Sequence, residues 1–168
     1  MAKIRHPAQR PSESLIKECQ VTRTRRGGPG GQHRNKVETA IVLRHLPTGV
    51  EAEANERRSQ AENQRVALER LRLNLALEIR CSAVETPSHL WRSRCSGGRI
   101  RVRRDHPDAC VLIAELLDVL AERDWDLKAS SDHLFATSSQ LVKLLKLEPR
   151  ALSQLNVQRN NRNLSRLT

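Results

Sequence analysis

The first part of the chain places apolar residues in short runs that are bounded by turn-forming residues. Runs at 18–25, 40–44 and 50–54 carry the β-branched and apolar residues that favour strands. The tripeptide Pro47-Thr48-Gly49 separates the second run from the third and is typical of a turn. This pattern predicts a small three-stranded sheet.

A helix is predicted directly after the sheet. Ser59 and Glu62 have the spacing of a capping box, which satisfies the first free backbone N–H groups of a helix. Apolar residues then recur every three or four positions, at Leu68, Leu71, Leu75 and Ile79. The stretch 71–79 also alternates with period two, as a strand would. The cap and the strong helix formers before it favour a helix of about 20 residues.

The middle of the chain predicts one more strand and a buried helix. Ile100–Arg103 has the character of a short strand, and Gly97-Gly98 supplies a turn before it. Val111–Leu120 is apolar at helical spacing. The strand and the helix are separated by the helix-breaking sequence around Pro107.

The C-terminal part is helical throughout. Thr137 and Gln140 form a second capping box, and we expect the helix that they open to end at Pro149. A further short helix is predicted over Ala151–Val157, followed by a frayed polar end over Gln158–Asn163.

These elements predict an α+β protein in four segments. Residues 1–18 form an N-terminal extension, 19–80 a small domain of a sheet and a long helix, 81–104 a basic linker, and 105–168 a helical module. A length of 168 residues allows one small domain with a helical appendage and excludes multidomain machinery.

The charge of the chain is positive and unevenly distributed. Thirty Lys and Arg residues against 19 Asp and Glu residues give a formal net charge of +11. Residues 1–36 carry +7 and residues 81–104 carry +5, whereas 37–80 is neutral and 105–168 carries −1. Two basic blocks in one small protein favour phosphate contacts with a nucleic acid. No apolar run reaches the roughly 18 residues of a membrane span, so we expect no membrane association.

Composition limits how RNA is bound. The chain has no Tyr, one Phe and two Trp. Stacking of bases on aromatic side chains is therefore excluded as the main mode of RNA binding, and backbone electrostatics must supply most of the affinity.

The four cysteines stand far apart, at Cys19, Cys81, Cys95 and Cys110. This usage is typical of a reducing compartment and not of a disulfide framework. A zinc site that combines Cys95 and Cys110 with His89 or His106 lacks the close paired spacing of structural zinc sites. We therefore predict no metal and no cofactor.

The most informative stretch is Gly27-Gly28-Pro29-Gly30-Gly31-Gln32. It lacks the Lys-Ser/Thr pair of a Walker loop and the G-x-G-x-x-G spacing of a dinucleotide site, so both kinds of nucleotide site are excluded. A bare backbone flanked by basic residues predicts a loop thin enough to enter a narrow RNA cavity. A flexible RNA-binding loop without chemistry is the alternative that this stretch alone leaves open.

Three signatures occur in order along the chain: Gly28–Lys36, then Pro47-Thr48-Gly49, then Arg57–Gln60 with Asn63. Together they resemble the catalytic domain of peptide chain release factors and of the shorter, codon-independent ribosome-rescue peptidyl-tRNA hydrolases. The resemblance covers roughly residues 19–80. It implies an α+β domain whose loop enters the peptidyl transferase centre, where the ester between peptide and tRNA is hydrolysed.

The resemblance also implies site residues and partners. Gln32 would be the catalytic residue and the target of a modifying methyltransferase. Large-subunit rRNA and the P-site peptidyl-tRNA would be the partners. Two residues depart from the family pattern, because Gly27 stands where Ser is usual and Arg34 where an apolar residue is common. The chain leaves no room for a codon-reading domain and lacks the dense basic tail of the small rescue hydrolases.

The residue types suit ester hydrolysis. Attack of water on the ester carbonyl creates an oxyanion, which a pre-aimed backbone N–H stabilises where bulk water is excluded. Gly30 and Gly31 permit backbone angles closed to other residues, so that the amide of Gln32 can be delivered to that position. The uncharged Gln32 side chain orients a water without titrating. We therefore assign Gly30, Gly31 and Gln32 as catalytic.

Basic residues near the glycine loop, beside the first capping box and in the second basic block are assigned to RNA contact. They are Arg23, Arg25, Arg26, Arg34, Lys36, Arg58, Arg99, Arg101, Arg103 and Arg104.

Residues 126–146 are similar to a helix-turn-helix, with Phe135 where the turn glycine is expected. The second helix offers only Lys143 and Lys146 as basic residues, which argues against DNA reading. A nucleic-acid contact and a small bundle that docks on protein or on the domain of residues 19–80 stay open as alternatives.

The sequence thus predicts a ribosome-dependent, codon-independent peptidyl-tRNA hydrolase that acts in peptide release or ribosome rescue. The alternatives are a non-catalytic ribosome- or RNA-binding module and a transcriptional regulator, and the intact Gly-Gly-Gln argues against both. The first 18 residues contain no apolar segment of a signal peptide, so we expect a cytoplasmic protein, and we expect a monomer.

Overall fold

The computed structural model describes residues 6–24, 39–83 and 85–168. These residues divide into two compact units, one formed by residues 7–79 and one by residues 80–168 together with His6. Helices and antiparallel sheets occur together, which confirms the α+β class.

The first unit is a three-stranded sheet with one long helix. Its elements are a short 3-10 helix at Pro7–Gln9, α1 at Ser12–Lys17, β1 at Cys19–Thr24, β2 at Ala40–His45, β3 at Glu51–Ala54 and α2 at Gln60–Glu78. The sheet is antiparallel in the order β1-β2-β3. The three predicted strands are confirmed. The turn before β3 is also confirmed, and Gly49 there has a φ of +75°, which only glycine adopts without strain.

The core of this unit lies between β2 and α2. The β2 side chains of Ala40, Ile41 and Leu43 are buried, and α2 packs against β2 and β3. The stretch that also alternated with period two is helical, so the predicted helix is confirmed with 19 residues. Its buried stripe follows a four-residue spacing through Asn63, Ala67, Leu71 and Leu75.

Two members of the predicted apolar stripe lie elsewhere. Leu68 is only half-buried, and Ile79 follows the helix as its C-cap in an extended conformation. The buried position that was predicted for Leu68 is taken by Ala67, the residue before it, which is fully buried.

Residues 7–18 belong to this compact unit, although the sequence assigned them to an extension. Leu15 of α1 is fully buried. Arg72 of α2 donates a hydrogen bond to the Ser12 hydroxyl at 3.0 Å. The early segment therefore contributes to the core of the first unit.

The second unit is mainly helical. Its elements are α3 at His89–Arg94, β4 at Cys95–Ser96, β5 at Arg99–Ile100, α4 at Asp108–Glu122, α5 at Leu127–Leu134, α6 at Ser138–Leu145 and α7 at Pro149–Asn160. The central helix α4 is buried along most of its length, from Leu112 to Leu120. The predicted helix over Val111–Leu120 is thus confirmed.

The predicted strand over Ile100–Arg103 is wrong in its extent. Strand β5 ends at Ile100 because β4 offers only Cys95 and Ser96 as pairing partners. The predicted turn is confirmed, since Gly97 and Gly98 join the two strands with φ of +55° and +74°.

Pro149 begins a helix where the sequence predicted that it ends one. Helix α6 stops at Leu145, and Pro149 opens α7 behind Glu148, whose side chain caps the N–H of Arg150. Proline is well suited to the first helical turn because its missing N–H has no partner there. Helix α7 runs to Asn160, so it is longer than the predicted Ala151–Val157 and includes part of the end predicted to fray.

No helix in the described ranges is long and apolar enough to cross a membrane.

Candidate functional site

The predicted catalytic residues Gly30, Gly31 and Gln32 lie outside the described residues, as do Arg25, Arg26, Arg34 and Lys36. The structure does describe the strand ends on either side of residues 25–38, here called the glycine-rich segment. Strand β1 ends at Thr24 and β2 begins at Ala40, and these two residues are paired in the antiparallel ladder. The two ends of the glycine-rich segment are therefore held side by side by the sheet.

A buried asparagine fixes the point where this segment returns to the sheet. Asn63 of α2 is fully buried. Its Nδ2 donates to the carbonyl oxygens of Thr39 at 2.6 Å and Arg57 at 2.9 Å, and its Oδ1 accepts from the Arg57 N–H at 2.9 Å. One side chain thus ties together the end of the segment, the loop before α2 and α2 itself. The sequence placed Asn63 in the third signature, but its role as a clamp is visible only in the structure.

The departing end carries a different feature. The Thr24 hydroxyl oxygen is buried and has no hydrogen-bond partner within the described part of the chain. Buried polar atoms are usually paired, because an unpaired one costs free energy. Thr24 is the last described residue before the glycine-rich segment.

The second signature, Pro47-Thr48-Gly49, is held by a buried histidine. His45 is 2% exposed, and its Nδ1 lies 2.7 Å from the Thr48 hydroxyl oxygen. Its Nε2 lies 3.2 Å from a carboxylate oxygen of Glu18, the residue just before β1. The turn is thus connected to the start of the strand that leads into the glycine-rich segment.

The third signature forms the N-terminus of α2. The Ser59 hydroxyl accepts a hydrogen bond from the Glu62 N–H at 3.4 Å, which confirms the predicted cap. Arg58 is exposed beside this cap, and Arg23 is exposed on β1. Both arginines are therefore accessible to a polyanion, as their assignment to RNA contact requires.

The outer strand β3 is covered by side chains of α2. Arg70 donates to the Glu53 carbonyl at 2.7 Å, and Asn74 donates to the Glu51 carbonyl at 2.9 Å. Arg70 also pairs with Glu56. These bonds satisfy carbonyl groups that an edge strand would otherwise offer to another chain.

The second basic block forms an exposed hairpin and the loop after it. The assigned residues Arg99, Arg101, Arg103 and Arg104 are all exposed. Arg103 approaches Asp105 at 3.7 Å, but its side chain is 84% exposed, so this pair neutralises little of its charge. Within the described residues, Arg99 and Arg101 form no ion pair. The hairpin and the loop after it, residues 95–104 and here called the basic hairpin, therefore present concentrated positive charge to solvent.

Contacts to α6 hold this hairpin in place. The Thr137 N–H donates to the Gly98 carbonyl at 3.1 Å, and the Ile100 N–H donates to the Gln140 side chain at 3.2 Å. The same Thr137 caps α6 through the Gln140 N–H, which confirms the second predicted capping box. The basic hairpin and the start of α6 are thus one local structure.

Phe135 lies in the turn between α5 and α6. It is 73% exposed and has a φ of 51°, a left-handed conformation that is unusual for a residue other than glycine. The Cys95 thiol of the hairpin donates to its carbonyl at 3.6 Å. By contrast, Trp91 is buried and donates its indole N–H to the Leu134 carbonyl at 2.8 Å, so it belongs to the core.

Comparison with known proteins identifies the relatives of this chain. The model of the RF-1 domain matches residues 13–108. A chloroplastic peptide chain release factor, PrfB1 of Arabidopsis thaliana, is 48% identical over 65 residues, which are 39% of this chain and 13% of that protein. Peptide chain release factor 1 of Akkermansia muciniphila is 42% identical over 66 residues, 39% of this chain and 17% of that protein.

A mitochondrial relative shows the same extent of similarity. The release factor 1-like protein of Rattus norvegicus is 39% identical over 59 residues, covering 35% of this chain and 16% of that protein. The chain thus matches less than a fifth of the length of these curated relatives. The family match itself extends over more than half of the chain and spans all three signatures, and by this evidence the chain belongs to the RF-1 domain family.

Proposed function

We propose that this protein hydrolyses the ester bond of peptidyl-tRNA on the ribosome without reading a codon, in peptide release or rescue of stalled ribosomes. The observation that carries the proposal is the base of the glycine-rich segment. In a member of the RF-1 domain family, paired strand ends and the Asn63 clamp hold a segment that contains an intact Gly30-Gly31-Gln32.

The proposed chemistry uses the backbone of this segment. The Gln32 N–H stabilises the oxyanion that forms when water attacks the ester carbonyl, and the leaving group is the terminal ribose oxygen of the tRNA. The Gln32 side chain orients the attacking water, and Gly30 and Gly31 keep the segment narrow enough to approach RNA. The histidines of the sequence lie in no nucleophile signature, so the chain supplies no catalytic triad of its own. The ribosome and the tRNA therefore supply the rest of the site.

A firm base matters for such a mechanism. Rate acceleration by a preorganised donor requires that the donor be placed to within a fraction of an ångström of the developing charge. The buried Asn63 side chain holds the segment's returning end through its bond to the Thr39 carbonyl, and its two bonds to Arg57 tie that contact to the loop before α2.

The basic hairpin supports binding to ribosomal RNA. Its exposed arginines supply the charge that attracts phosphate groups, and the contacts to α6 hold the backbone that carries them at Gly98 and Ile100. Recognition without a codon-reading domain is part of this proposal, and so are the cytoplasmic location, the monomeric state and the methylation of Gln32.

The test is peptide release from ribosomes that carry labelled peptidyl-tRNA and have an empty A site, a sense codon or a stop codon. We expect the wild type to release peptide on all three complexes, and Gly31→Ala to lose at least about 100-fold in rate while ribosome binding is retained. Gln32→Ala then separates the side-chain contribution from the backbone contribution.

A matched control uses a glycine outside the segment. Gly49→Ala changes a turn glycine of the same unit at a positive φ, where a Cβ would meet no atom within 4 Å. We expect it to lower the free energy of unfolding by about 1 to 2 kcal/mol, because the positive φ strains any residue with a Cβ, and to leave release intact. Release by Gly31→Ala at the wild-type rate would refute the mechanism. Binding without release on any complex would favour the non-catalytic module instead.

A further inference from the structure

Three potential metal ligands meet in the second unit. An imidazole nitrogen of His6, the thiol sulfur of Cys81 and a carboxylate oxygen of Asp118 all lie within 4.8 Å of one another. His6 and Asp118 are 2% and 6% exposed, and Cys81 is half-buried. The residues come from three separate parts of the chain, and only the fold brings them together.

The cluster is held by the surrounding structure. Asp118 projects from the buried helix α4, and its Oδ1 accepts a hydrogen bond from the Cys81 N–H at 2.9 Å. A carboxylate has about four acceptor positions on its two oxygens, so this bond leaves room for coordination. The bond also fixes the backbone of Cys81 against α4.

The surroundings of Asp118 suit a cation. Asp118 is 6% exposed, and the carboxylates of Glu115 and Glu122 are its acidic neighbours, with the Arg80 guanidinium acting in the opposite direction. Arg80 also donates a hydrogen bond to the Gln154 side chain at 2.9 Å, so its guanidinium serves a second partner. A carboxylate at a buried position is poorly solvated, and a bound divalent cation would compensate for that loss.

The ligand types select the metal. Nitrogen, sulfur and carboxylate oxygen ligands in one small cluster suit Zn²⁺, which binds all three at about 2.0 to 2.3 Å. Tetrahedral coordination then requires the ligand atoms to lie roughly 3.3 to 3.7 Å apart. Closing a spacing of at most 4.8 Å needs side-chain shifts of only about 1 Å.

We propose that His6, Cys81 and Asp118 form a zinc-binding site in the second unit, with water in the fourth position. Binding forms a Zn–S bond and breaks the S–H bond of Cys81, whose proton passes to solvent. The sequence predicted no metal because its candidate ligands lack close paired spacing, but the proposed site brings together ligands that are distant in the sequence and does not need such spacing. The proposal is independent of peptide release, since none of its residues lies in the glycine-rich segment or the basic hairpin.

The experiment uses the full chain after treatment with a chelator. Zn²⁺ is titrated in competition with a chromogenic chelator, and Co²⁺ is titrated as a spectroscopic probe. We expect one equivalent of either metal per chain and a thiolate-to-cobalt charge-transfer band. Cys81→Ser should abolish that band and weaken Zn²⁺ binding at least about 100-fold, and Asp118→Asn and His6→Gln should each weaken it at least about tenfold.

Cys110→Ser is the matched control, because the Cys110 thiol donates to the Pro107 carbonyl at 3.2 Å and lies outside the cluster. We expect it to bind both metals as the wild type does. Circular dichroism of the metal-free variants establishes that each is folded. Absence of stoichiometric binding by the folded wild type, or unchanged affinity in folded Cys81→Ser and His6→Gln, would overturn the proposal.

Discussion

At the scale of single residues, the polar side chain of Asn63 does most to connect the glycine-rich segment to the fold. A fully buried asparagine in a helix is unfavourable unless all its hydrogen-bonding groups are paired, and Asn63 pairs with three backbone groups. Removing the side chain takes away the partner of the Thr39 carbonyl and of both Arg57 backbone groups, which are only partly buried.

We therefore expect Asn63→Ala to lower the free energy of unfolding by about 3 kcal/mol, because it removes three hydrogen bonds that contribute about 0.5 to 1.5 kcal/mol each. Chemical denaturation measures the change. Asn63→Asp keeps an acceptor for the Arg57 N–H but places a buried carboxylate against the Thr39 and Arg57 carbonyl oxygens, so it should be at least as destabilising as alanine. Glu69→Ala, at an exposed position of the same helix, serves as the control and should change stability little.

Phe135 supports a prediction of the opposite sign. Its left-handed backbone costs a residue with a Cβ roughly 1 to 2 kcal/mol, and its side chain is too exposed to repay that cost by burial. Phe135→Gly should therefore raise the free energy of unfolding by up to about 1 kcal/mol. Phe135→Ala retains the strain and should show no gain. Equal stability of the two variants in a denaturation experiment would contradict this account.

At the scale of elements, the starts of α2 and α6 were predictable because an N-cap and the backbone group that it binds are close together in the sequence. Ser59 and Thr137 each bond to a backbone N–H three residues later, and that spacing is readable in the sequence. Pro149 was misassigned because proline both follows helices and begins them. The choice depended on the Glu148 cap, which the sequence pattern did not single out.

The buried face of α2 was only partly predictable. Periodicity located the helix, but the predicted stripe counted Leu68 together with Leu71 and Leu75 as buried. The buried stripe in the structure begins at Asn63 instead. A buried asparagine carries no apolar signal, so the sequence could not indicate it as a core position.

Leu68 and Leu71 both belong to the predicted stripe, but they differ in burial and therefore in the stability that truncation to alanine should cost. Leu71 is fully buried whereas Leu68 is half-buried. Leu71→Ala should lower the free energy of unfolding by about 3 kcal/mol, and Leu68→Ala by less than about half as much. Thermal and chemical unfolding of the two variants give this comparison. Similar losses of stability in the two variants would indicate that Leu68 is buried as well as Leu71, as the periodicity predicted.

At the scale of the whole molecule, charge by segment was the feature most readily obtained from the sequence. The second basic block indeed forms a surface that is exposed and, at Arg99 and Arg101, without ion pairs in the described residues. The zinc-ligand cluster was not predictable, because His6, Cys81 and Asp118 are close only after folding. Sequence motifs therefore indicate sites whose residues are close together in the chain, but they cannot indicate a site whose residues come together only in the fold.

The exposed hairpin leads to a prediction for ribosome binding. Arg99→Glu, Arg101→Glu and Arg103→Glu combined should weaken binding and reduce the slope of log affinity against log salt by about 2 to 3, because each lost phosphate contact contributes about 0.7 to 0.9. Binding measured across a range of salt concentrations gives the slope. The same change at the exposed residues Arg150, Arg162 and Arg166 matches the total charge and should leave the slope nearly unchanged.

The second unit is discontinuous in the chain, since it combines His6 with residues 80–168 and the first unit occupies the sequence between them. During synthesis from the N-terminus, His6 therefore emerges well before the helix α4 against which it is buried. The first unit can fold on the nascent chain as soon as α2 is complete, whereas burial of His6 must wait until Asp118 has left the exit tunnel. The order of synthesis thus makes the glycine-rich segment's scaffold the early product and the closure of the second unit the final step.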